Sequence, residues 1–224
     1  MWTTGNRIKI LVGHYGSGKT EIALNMARSI RRKGHKTTLI DLDIVNPFFR
    51  SAEQGAWLKE NDIRLLAPTF ALTAVDIPAL PAQILSVFQP DAGHAIFDVG
   101  GDDTGALALG RYNRYFQQSG YELMYAVNIF RPRSGSVQEI ADMMRRVSLS
   151  SRLMPTGLIN NSNLGGLTDE KTIREGHELL LAVSREMNVP LLADCTALRG
   201  ISPDTDGTPL FEIERLTKPE WMEL

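Results

Sequence analysis

The chain has 224 residues, a formal net charge of −2 and 43% hydrophobic residues. These values suit one compact domain with a buried core, and no run of like charge announces a nucleic-acid or lipid partner. The one cysteine, Cys195, excludes an internal disulfide and any metal site built on cysteine pairs. The N-terminal apolar run is too short for a signal peptide and no stretch reaches membrane-spanning length, so we expect a cytoplasmic protein.

Short apolar runs alternate along the chain with longer segments of helical period, a pattern typical of parallel strands joined by crossover helices. The predicted strands cover residues 8–12, 37–42, 63–67, 95–99, 123–129, 156–160 and 189–193. The predicted helices cover residues 19–33, 78–88, 106–118, 136–149 and 169–187. The stretch 196–209, rich in Pro, Asp, Gly and Thr, predicts a surface loop. We therefore expect an α/β fold in which residues 1–224 form a single domain with a mostly parallel twisted sheet flanked by helices.

A glycine-rich segment between the first predicted strand and the first predicted helix fits the pattern G-x-x-x-x-G-K-T at every defined position. Its residues are Gly13, His14, Tyr15, Gly16, Ser17, Gly18, Lys19 and Thr20. Glycines let successive backbone N–H groups point into one concavity, and the following helix adds positive potential, so the segment predicts a phosphate-binding loop. We expect Lys19 to neutralise the outer phosphates and the Thr20 hydroxyl to ligate magnesium.

The second predicted strand leads into a pair of acidic residues, Asp41 and Asp43. Strand alternation puts both on the same side, and the carboxyl edge of a parallel sheet is where ligands gather. We expect Asp43 to orient or deprotonate an attacking water and Asp41 to hold the magnesium shell. Turn chemistry is the alternative interpretation of Asp43, since aspartate is common in such loops.

The strand predicted at 95–99 carries Asp98 near its end and is followed by Gly100 and Gly101. An apolar strand that ends in aspartate is a typical way to present a carboxylate to magnesium behind a phosphate loop. The two glycines would let the backbone approach a terminal phosphate and move when that group leaves. Asp98 is therefore predicted on the metal side of the site.

The chain resembles the MinD/ParA-like ATPases, also described as the CobQ/CobB/MinD/ParA nucleotide-binding domain. The resemblance lies in the order and type of four segments: the phosphate loop, residues 41–43, residues 98–101 and the pair at 160–161. The resemblance implies a P-loop NTPase fold, ATP with magnesium, and, for many members, a dimer formed across bound ATP. It implies that Lys19 and Thr20 bind phosphate and magnesium. Asp43 would position the hydrolytic water, and Asp98 would serve the metal through water. Asn160 would contact adenine.

The second position of the loop departs from this resemblance. Many relatives carry there a second lysine that reaches the nucleotide of a partner subunit, whereas this chain has His14. A histidine is shorter and only partly charged near neutral pH. Slow hydrolysis and function without that dimer geometry both stay open.

The loop also resembles that of metallochaperone GTPases, so the choice of base needs its own argument. Guanine selection in those proteins uses Asn-Lys-x-Asp, whose carboxylate accepts two hydrogen bonds, whereas residues 160–163 read Asn-Asn-Ser-Asn. A neutral amide cannot supply the same charge-assisted pair, so ATP is predicted.

The sequence thus predicts a slow, magnesium-dependent ATPase that acts as a nucleotide switch for a protein client which the residues do not identify. A metallochaperone-type GTPase, a small-molecule kinase or ligase, and a non-hydrolysing nucleotide sensor are the alternatives. The segment 211–219 lacks the basic amphipathic face of a membrane-surface helix. No basic run supports a nucleic-acid partner.

Overall fold

The computed structural model of the chain describes residues 1–42, 55–67, 82–101, 103–201, 203 and 205–217. Strands and helices alternate along these ranges. The strands are β1 (Ile8–Val12), β2 (Thr37–Leu42), β3 (Arg64–Leu66), β4 (His94–Val99), β5 (Glu122–Val127), β6 (Gly157–Asn160), β7 (Leu191–Thr196) and β8 (Leu210–Glu212). The α-helices are α1 (Lys19–Arg32), α2 (Gly55–Glu60), α3 (Asp103–Gly110), α4 (Asn113–Ser119), α5 (Val137–Ser151) and α6 (Glu170–Met187), with 3₁₀ helices at Ala82–Phe88 and Gly165–Leu167.

The strands form one sheet in the order β3-β2-β4-β1-β5-β6-β7-β8, and each neighbouring pair runs parallel. The central strand, β1, lies between β4 and β5. The chain first builds the sheet to one side of β1, through β2, β3 and β4, and then continues on the other side from β5. In an open α/β sheet, the crevice outside the carboxyl ends at such a reversal is the usual ligand site.

Alternate residues of the strands enter two separate cores, as the two-residue period of a strand requires. Leu11 and Leu39 pack with α1 on one face of the sheet. Ile10 and Ile40 pack with α3, α4, α5 and α6 on the other face. Because both faces are covered, every residue of β1, β2 and β4 is buried, which explains the near-continuous apolar runs in the sequence.

The chain that follows β8 lies along α1. Asn25 Nδ2 donates to the carbonyl oxygen of Glu214 at 2.8 Å, and Asn25 Oδ1 accepts from the backbone nitrogen of Glu214 at 2.8 Å. One turn before Asn25, the Glu21 carboxylate accepts from the backbone nitrogen of Thr217 at 3.1 Å. One turn after it, Arg28 forms an ion pair with Glu214 at 2.5 Å. Side chains at successive turns of α1 therefore bind this C-terminal segment (residues 213–217).

The predicted fold class is confirmed, because a parallel sheet flanked by helices is what the chain forms. β1 and β2 have the predicted bounds, and the other five predicted strands overlap observed ones. Three short elements were not predicted, namely α2, β8 and the 3₁₀ helix at Gly165–Leu167. In the described part of the predicted helix 78–88, residues 82–88 form a 3₁₀ helix.

The prediction of one helix over residues 106–118 is wrong. The chain turns after α3, where a Cβ on Gly110 would lie 3.0 Å from the carbonyl oxygen of Ser150 in α5, and α4 then begins at Asn113. The two helices thus approach closely at the end of α3, where little room is left for a side chain. None of the helices in the described part of the chain combines the length and the apolar character that a membrane crossing needs.

Candidate functional site

Glycines with positive φ shape the loop between β1 and α1. Gly13 has a φ of 148° and Gly18 a φ of 83°. A Cβ on Gly13 would lie 2.2 Å from the carbonyl oxygen of Ala126 in β5, and one on Gly18 would lie 2.2 Å from Asn161 Nδ2. Only glycine meets both demands, because L-residues rarely adopt this backbone conformation and the neighbouring space is filled. The loop is thus pressed against the ends of β5 and β6.

Side chains from two neighbouring turns hold carbonyl oxygens of the loop. Arg131 Nε donates to the carbonyl oxygen of Gly16 at 3.2 Å, and Asn161 Nδ2 donates to that of Ser17 at 2.8 Å. A trans peptide unit points its N–H opposite to its C=O, so the Asn161 contact turns the N–H of Gly18 away from the Asn161 side chain. Backbone N–H groups turned inward are what a phosphate-binding concavity requires.

Lys19 brings positive charge to this loop. Its Nζ donates to the carbonyl oxygen of His14 at 3.1 Å, so the ammonium group lies across the loop that precedes it. α1 begins at Lys19, and within the described structure its N-cap residue, Gly18, makes no side-chain cap. The first-turn N–H groups and the positive end of the helix dipole therefore face the loop, as in sites that bind phosphate at a helix N-terminus.

The two described carboxylates that were predicted for magnesium lie side by side. Asp41 in β2 is the register partner of Asp98 in β4, and Asp98 is also paired with Leu11 in β1. Register partners in a sheet point to the same face, and the alternation places both aspartates on the face that α1 covers. Both are buried, with 4% and 3% of their surface exposed.

The donor types at this edge of the sheet fit a hydrated magnesium ion. Asp41, Asp98 and the hydroxyl of Thr20 supply oxygen, and Mg²⁺ in proteins is usually held by one or two carboxylates, several waters and the phosphates of a substrate. In residues 1–42, 55–67, 82–101 and the later described ranges, no group of three or more His, Cys, Asp or Glu could hold a metal by itself. Asp43, the predicted water-positioning residue, lies outside the described residues.

The turn after β4 contacts the phosphate loop directly. A Cβ on Gly101 would lie 2.7 Å from the backbone nitrogen of Tyr15, so only a glycine fits there. Gly105 is confined by the same turn, since a Cβ on Gly105 would lie 2.8 Å from the Cα of Gly100. These contacts bring the end of the strand that carries Asp98 to the loop. An approach of Gly100 and Gly101 to a phosphate stays a prediction.

Asn160, which we predicted to contact adenine, is completely buried. Its Nδ2 donates to the carbonyl oxygen of Ile173 at 3.0 Å and to Asp194 Oδ1 at 2.7 Å, and its Oδ1 accepts from the backbone nitrogen of Ser162 at 3.0 Å. Both amide hydrogens are engaged and no surface is exposed, so in this structure Asn160 does not line the crevice. Alternation along β6 sends the next residue, Asn161, to the loop instead.

The turns after β5 and β6 are joined by the side chain of Asn128, a role that the sequence did not predict. Asn128 Nδ2 donates to the carbonyl oxygen of Asn163 at 3.1 Å, and Asn128 Oδ1 accepts from the backbone nitrogens of Phe130 and Asn163 at 3.1 and 3.3 Å. The signal in the sequence was asparagine directly after two buried strands, where short polar side chains replace missing backbone partners. His14 occupies the second loop position, where many relatives carry a lysine. In this structure its Nδ1 lies 3.0 Å from the carbonyl oxygen of Tyr15 in the same loop.

A family model described as the CobQ/CobB/MinD/ParA nucleotide binding domain matches residues 10–192 of the chain. A comparison with curated protein sequences finds no match. Among solved structures, the cell division protein FtsY from Thermotoga maritima is similar with a TM-score of 0.58 and 19% identity, over 84% of this chain and 60% of that one.

Two further similar structures contain GDP. The signal recognition particle receptor FtsY from Elizabethkingia anophelis has a TM-score of 0.54 and 19% identity, over 84% of this chain and 57% of that one. The Signal Recognition Particle 54 kDa protein from Aeropyrum pernix has a TM-score of 0.53 and 16% identity, over 84% of this chain and 41% of that one. At these identities the likeness shows a shared fold alone. The aligned region spans 60% or less of each of these structures.

Proposed function

This chain belongs to the CobQ/CobB/MinD/ParA nucleotide-binding domain family, and from that premise we propose that it binds ATP with magnesium and hydrolyses it slowly, as a switch for a protein client. One observation carries the proposal. The phosphate loop is held from outside at the carbonyls of Gly16 and Ser17, while Lys19 lies across it. The family supports nucleotide binding, and the choice of ATP, the slow turnover and the switch belong to the proposal.

Transfer of a phosphoryl group to water depends on positioning and charge stabilisation rather than on covalent chemistry by the protein. The loop N–H groups and Lys19 would bind the outer phosphates and stabilise the charge that develops on them. Thr20, Asp41 and Asp98 would hold Mg²⁺, which neutralises phosphate charge when it is bound. Asp43 would orient the water, and this role rests on the sequence.

The choice of ATP rests on the residues after β6. Counted from Asn160, the fourth place of an Asn-Lys-x-Asp arrangement is Asn163, and counted from Asn161 it is Leu164, so neither count supplies a carboxylate. Asp194, the register partner of Asn160, is fully buried, and both of its carboxylate oxygens already take part in hydrogen bonds. A guanine base, which offers two donors to one carboxylate, would therefore find no free carboxylate among residues 160–164 or at Asp194. This supports adenine as the base.

GTP is the second candidate, because two of the similar structures are in complex with GDP. Calorimetric titration of the same protein with Mg-ATP and with Mg-GTP separates the two. We expect tighter binding of ATP. Tighter binding of GTP would reverse the assignment of the base and leave the phosphate site unchanged.

The phosphate site itself is tested by Lys19→Ala. Loss of an ammonium group that forms charge-assisted hydrogen bonds should weaken ATP binding by about 100-fold in calorimetry. The matched control is Lys171→Ala, because Lys171 lies on α6 with 72% of its side chain exposed. Unchanged affinity in the Lys19 variant would contradict the proposed site.

Hydrolysis is tested by Asp43→Ala in an assay of ADP release without any second substrate. The variant should bind ATP as the wild type does and lose turnover by about 100-fold or more, which is the usual contribution of a positioned base. An unchanged rate removes Asp43 from the mechanism. If the wild type forms ADP only when a metabolite is added, the chain is a kinase or ligase instead.

A further inference from the structure

We infer that a buried pair, Asp194 in β7 and His177 in α6, positions the phosphate loop through Asn160 and Asn161. The inference rests on the proposed nucleotide site, and it assigns a role to residues that touch neither phosphate nor metal. The pair lies on the face of the sheet opposite to α1, beneath the turn that follows β6.

Asp194 is fully buried, and each of its two carboxylate oxygens has a hydrogen-bond partner. Asp194 has no exposed surface, its Oδ2 lies 2.9 Å from His177 Nδ1, and its Oδ1 accepts from Asn160 Nδ2 at 2.7 Å. Two carboxylate oxygens thus meet two donors. Among the described residues His177 Nε2 has no partner, so a proton on Nε2 would leave one buried donor unsatisfied and set Nδ1 against a carboxylate. The imidazole therefore carries its proton on Nδ1.

Burial raises the pKa of Asp194, while the hydrogen bonds from Asn160 and His177 act in the opposite direction. A carboxylate in such a position needs both donors, since an unpaired buried charge is costly. The Asp194 carboxylate therefore fixes the positions of the two donor side chains, Asn160 and His177. An apolar pair would fill the same space without this cost, and it would not fix the orientation of Asn160.

Asn160 transmits that orientation to the turn after β6. Its Oδ1 accepts from the backbone nitrogen of Ser162, so the backbone is fixed on both sides of Asn161. The Asn161 side chain then points to the opposite face of the sheet and donates to the carbonyl oxygen of Ser17 at 2.8 Å. Asp194 is thus joined to the phosphate loop by consecutive hydrogen-bonded residues.

Gly176 keeps α6 against the same turn. A Cβ at this position would lie 2.2 Å from Ser162 Oγ and 2.4 Å from Asn160 Oδ1. Glycine is unfavourable in a helix interior, so close packing against the turn outweighs helix propensity here. A Gly176→Ala substitution therefore displaces the turn without removing any hydrogen-bonding group.

The test measures the affinity of the full chain for Mg-ATP and for Mg-tripolyphosphate, which has no base. Asp194→Asn leaves one acceptor oxygen for the two donors, Asn160 and His177. We expect this substitution and Gly176→Ala each to weaken the binding of both ligands by about fivefold to tenfold. Cys195→Ala is the matched control, because Cys195 is buried beside Asp194 in β7 but packs in the other core. The control should leave both affinities unchanged.

A double-mutant cycle tests the route. In the Asn161→Ala background, Asp194→Asn should cause no further loss of affinity, because the link to Ser17 is already absent. His177→Asn, which keeps a donor near the Nδ1 position, should rescue the binding that His177→Leu loses. These two variants also carry the test if Asp194→Asn does not fold.

Three results would overturn the inference. Additive losses in the cycle would show that Asp194 acts independently of Asn161. A loss for ATP with unchanged tripolyphosphate binding would place the pair at the base. A lower melting temperature with unchanged affinity for both ligands would leave the pair a purely structural role. Failure of the proposed function is recognised separately, because the wild-type chain would then bind neither ligand.

Discussion

Gly18 and Gly34 flank the helix that follows the phosphate loop, and they have nearly the same backbone conformation. Their φ angles are 83° and 86°. They differ in surroundings, because a Cβ on Gly18 would lie 2.2 Å from Asn161 Nδ2, whereas one on Gly34 has nothing within 4 Å. Substitution of Gly34 therefore tests backbone strain alone, whereas substitution of Gly18 tests the same strain together with the steric contact to Asn161.

We expect Gly34→Ala to lower the free energy of unfolding by about 1 kcal/mol through backbone strain and to leave ATP affinity unchanged. Gly18→Ala has the same strain and also displaces the Asn161 amide, so it should weaken ATP binding by about tenfold. Denaturant titration and calorimetry on the two variants measure these effects. Equal effects of both substitutions on ATP affinity would show that the Asn161 contact has no part in forming the loop.

At the scale of the elements, α6 begins with a complete capping box. The carboxylate of Asp169 accepts from the backbone nitrogen of Thr172 at 2.8 Å and from its hydroxyl at 2.6 Å. The hydroxyl bond and then the backbone bond are the main reasons why the pKa of Asp169 is lowered. Because the ionised form is the better acceptor, the cap depends on pH.

The sign of this dependence follows from linkage. A carboxyl group whose pKa is lowered in the folded chain contributes stability above its ordinary value of 3.8, and this contribution is lost as the pH falls through the lowered pKa. Asp169→Asn keeps a capping acceptor that does not titrate. The variant should therefore lose less stability than the wild type between pH 5 and pH 2, measured by denaturant titration at each pH. Parallel pH profiles for the two proteins would contradict this role of Asp169.

Strand prediction was accurate where the buried run is five or six residues long, and it missed the three-residue strand β8. β1 and β2 were predicted to the residue, because five or six consecutive buried side chains leave little choice of boundary. β8 has three residues that directly follow the turn-rich stretch 196–209, and only pairing with β7 makes it a strand. The sequence pattern cannot show such pairing, since it depends on distant residues.

The site was predicted unevenly for a similar reason. The motif identified the loop, and strand position identified Asp41 and Asp98, which the sheet brings into register. The pair at 160–161 could not be assigned from the sequence, because one of the two asparagines faces the loop and the other faces α6, and the pattern does not show which. The packing of α6 against Asn160 leaves Asn161 as the residue that contacts the loop.

At the scale of the whole molecule, the proposed nucleotide site draws residues from both halves of the sheet. Asp98 lies in β4 and Lys19 begins the helix that follows β1, whereas Asn161 follows β6 on the other side of the sheet. A ligand bound there contacts elements that fold from distant parts of the chain. Binding should therefore stabilise the whole sheet and not a single loop.

Saturation with Mg-ATP at 100 times the dissociation constant should raise the free energy of unfolding by about 2.7 kcal/mol, seen as a higher melting temperature. Chelation of magnesium should remove much of the gain, and Lys19→Ala should remove nearly all of it. If the chain also dimerises across ATP, the melting temperature in ATP will rise with protein concentration. A melting temperature unaffected by ATP in the wild type would contradict the site.

The segment that lies along α1 has a consequence for biosynthesis. Glu21, Asn25 and Arg28 emerge from the ribosome before their partners, because Glu214 follows Asn25 by 189 residues and Thr217 follows Glu21 by 196. A domain generally folds as a unit during synthesis and therefore needs all of its segments. The polar side chains of α1 therefore lack these partners until residues 213–217 have been translated, and a chain stalled before β8 would leave the Asn25 amide without its bonds to Glu214.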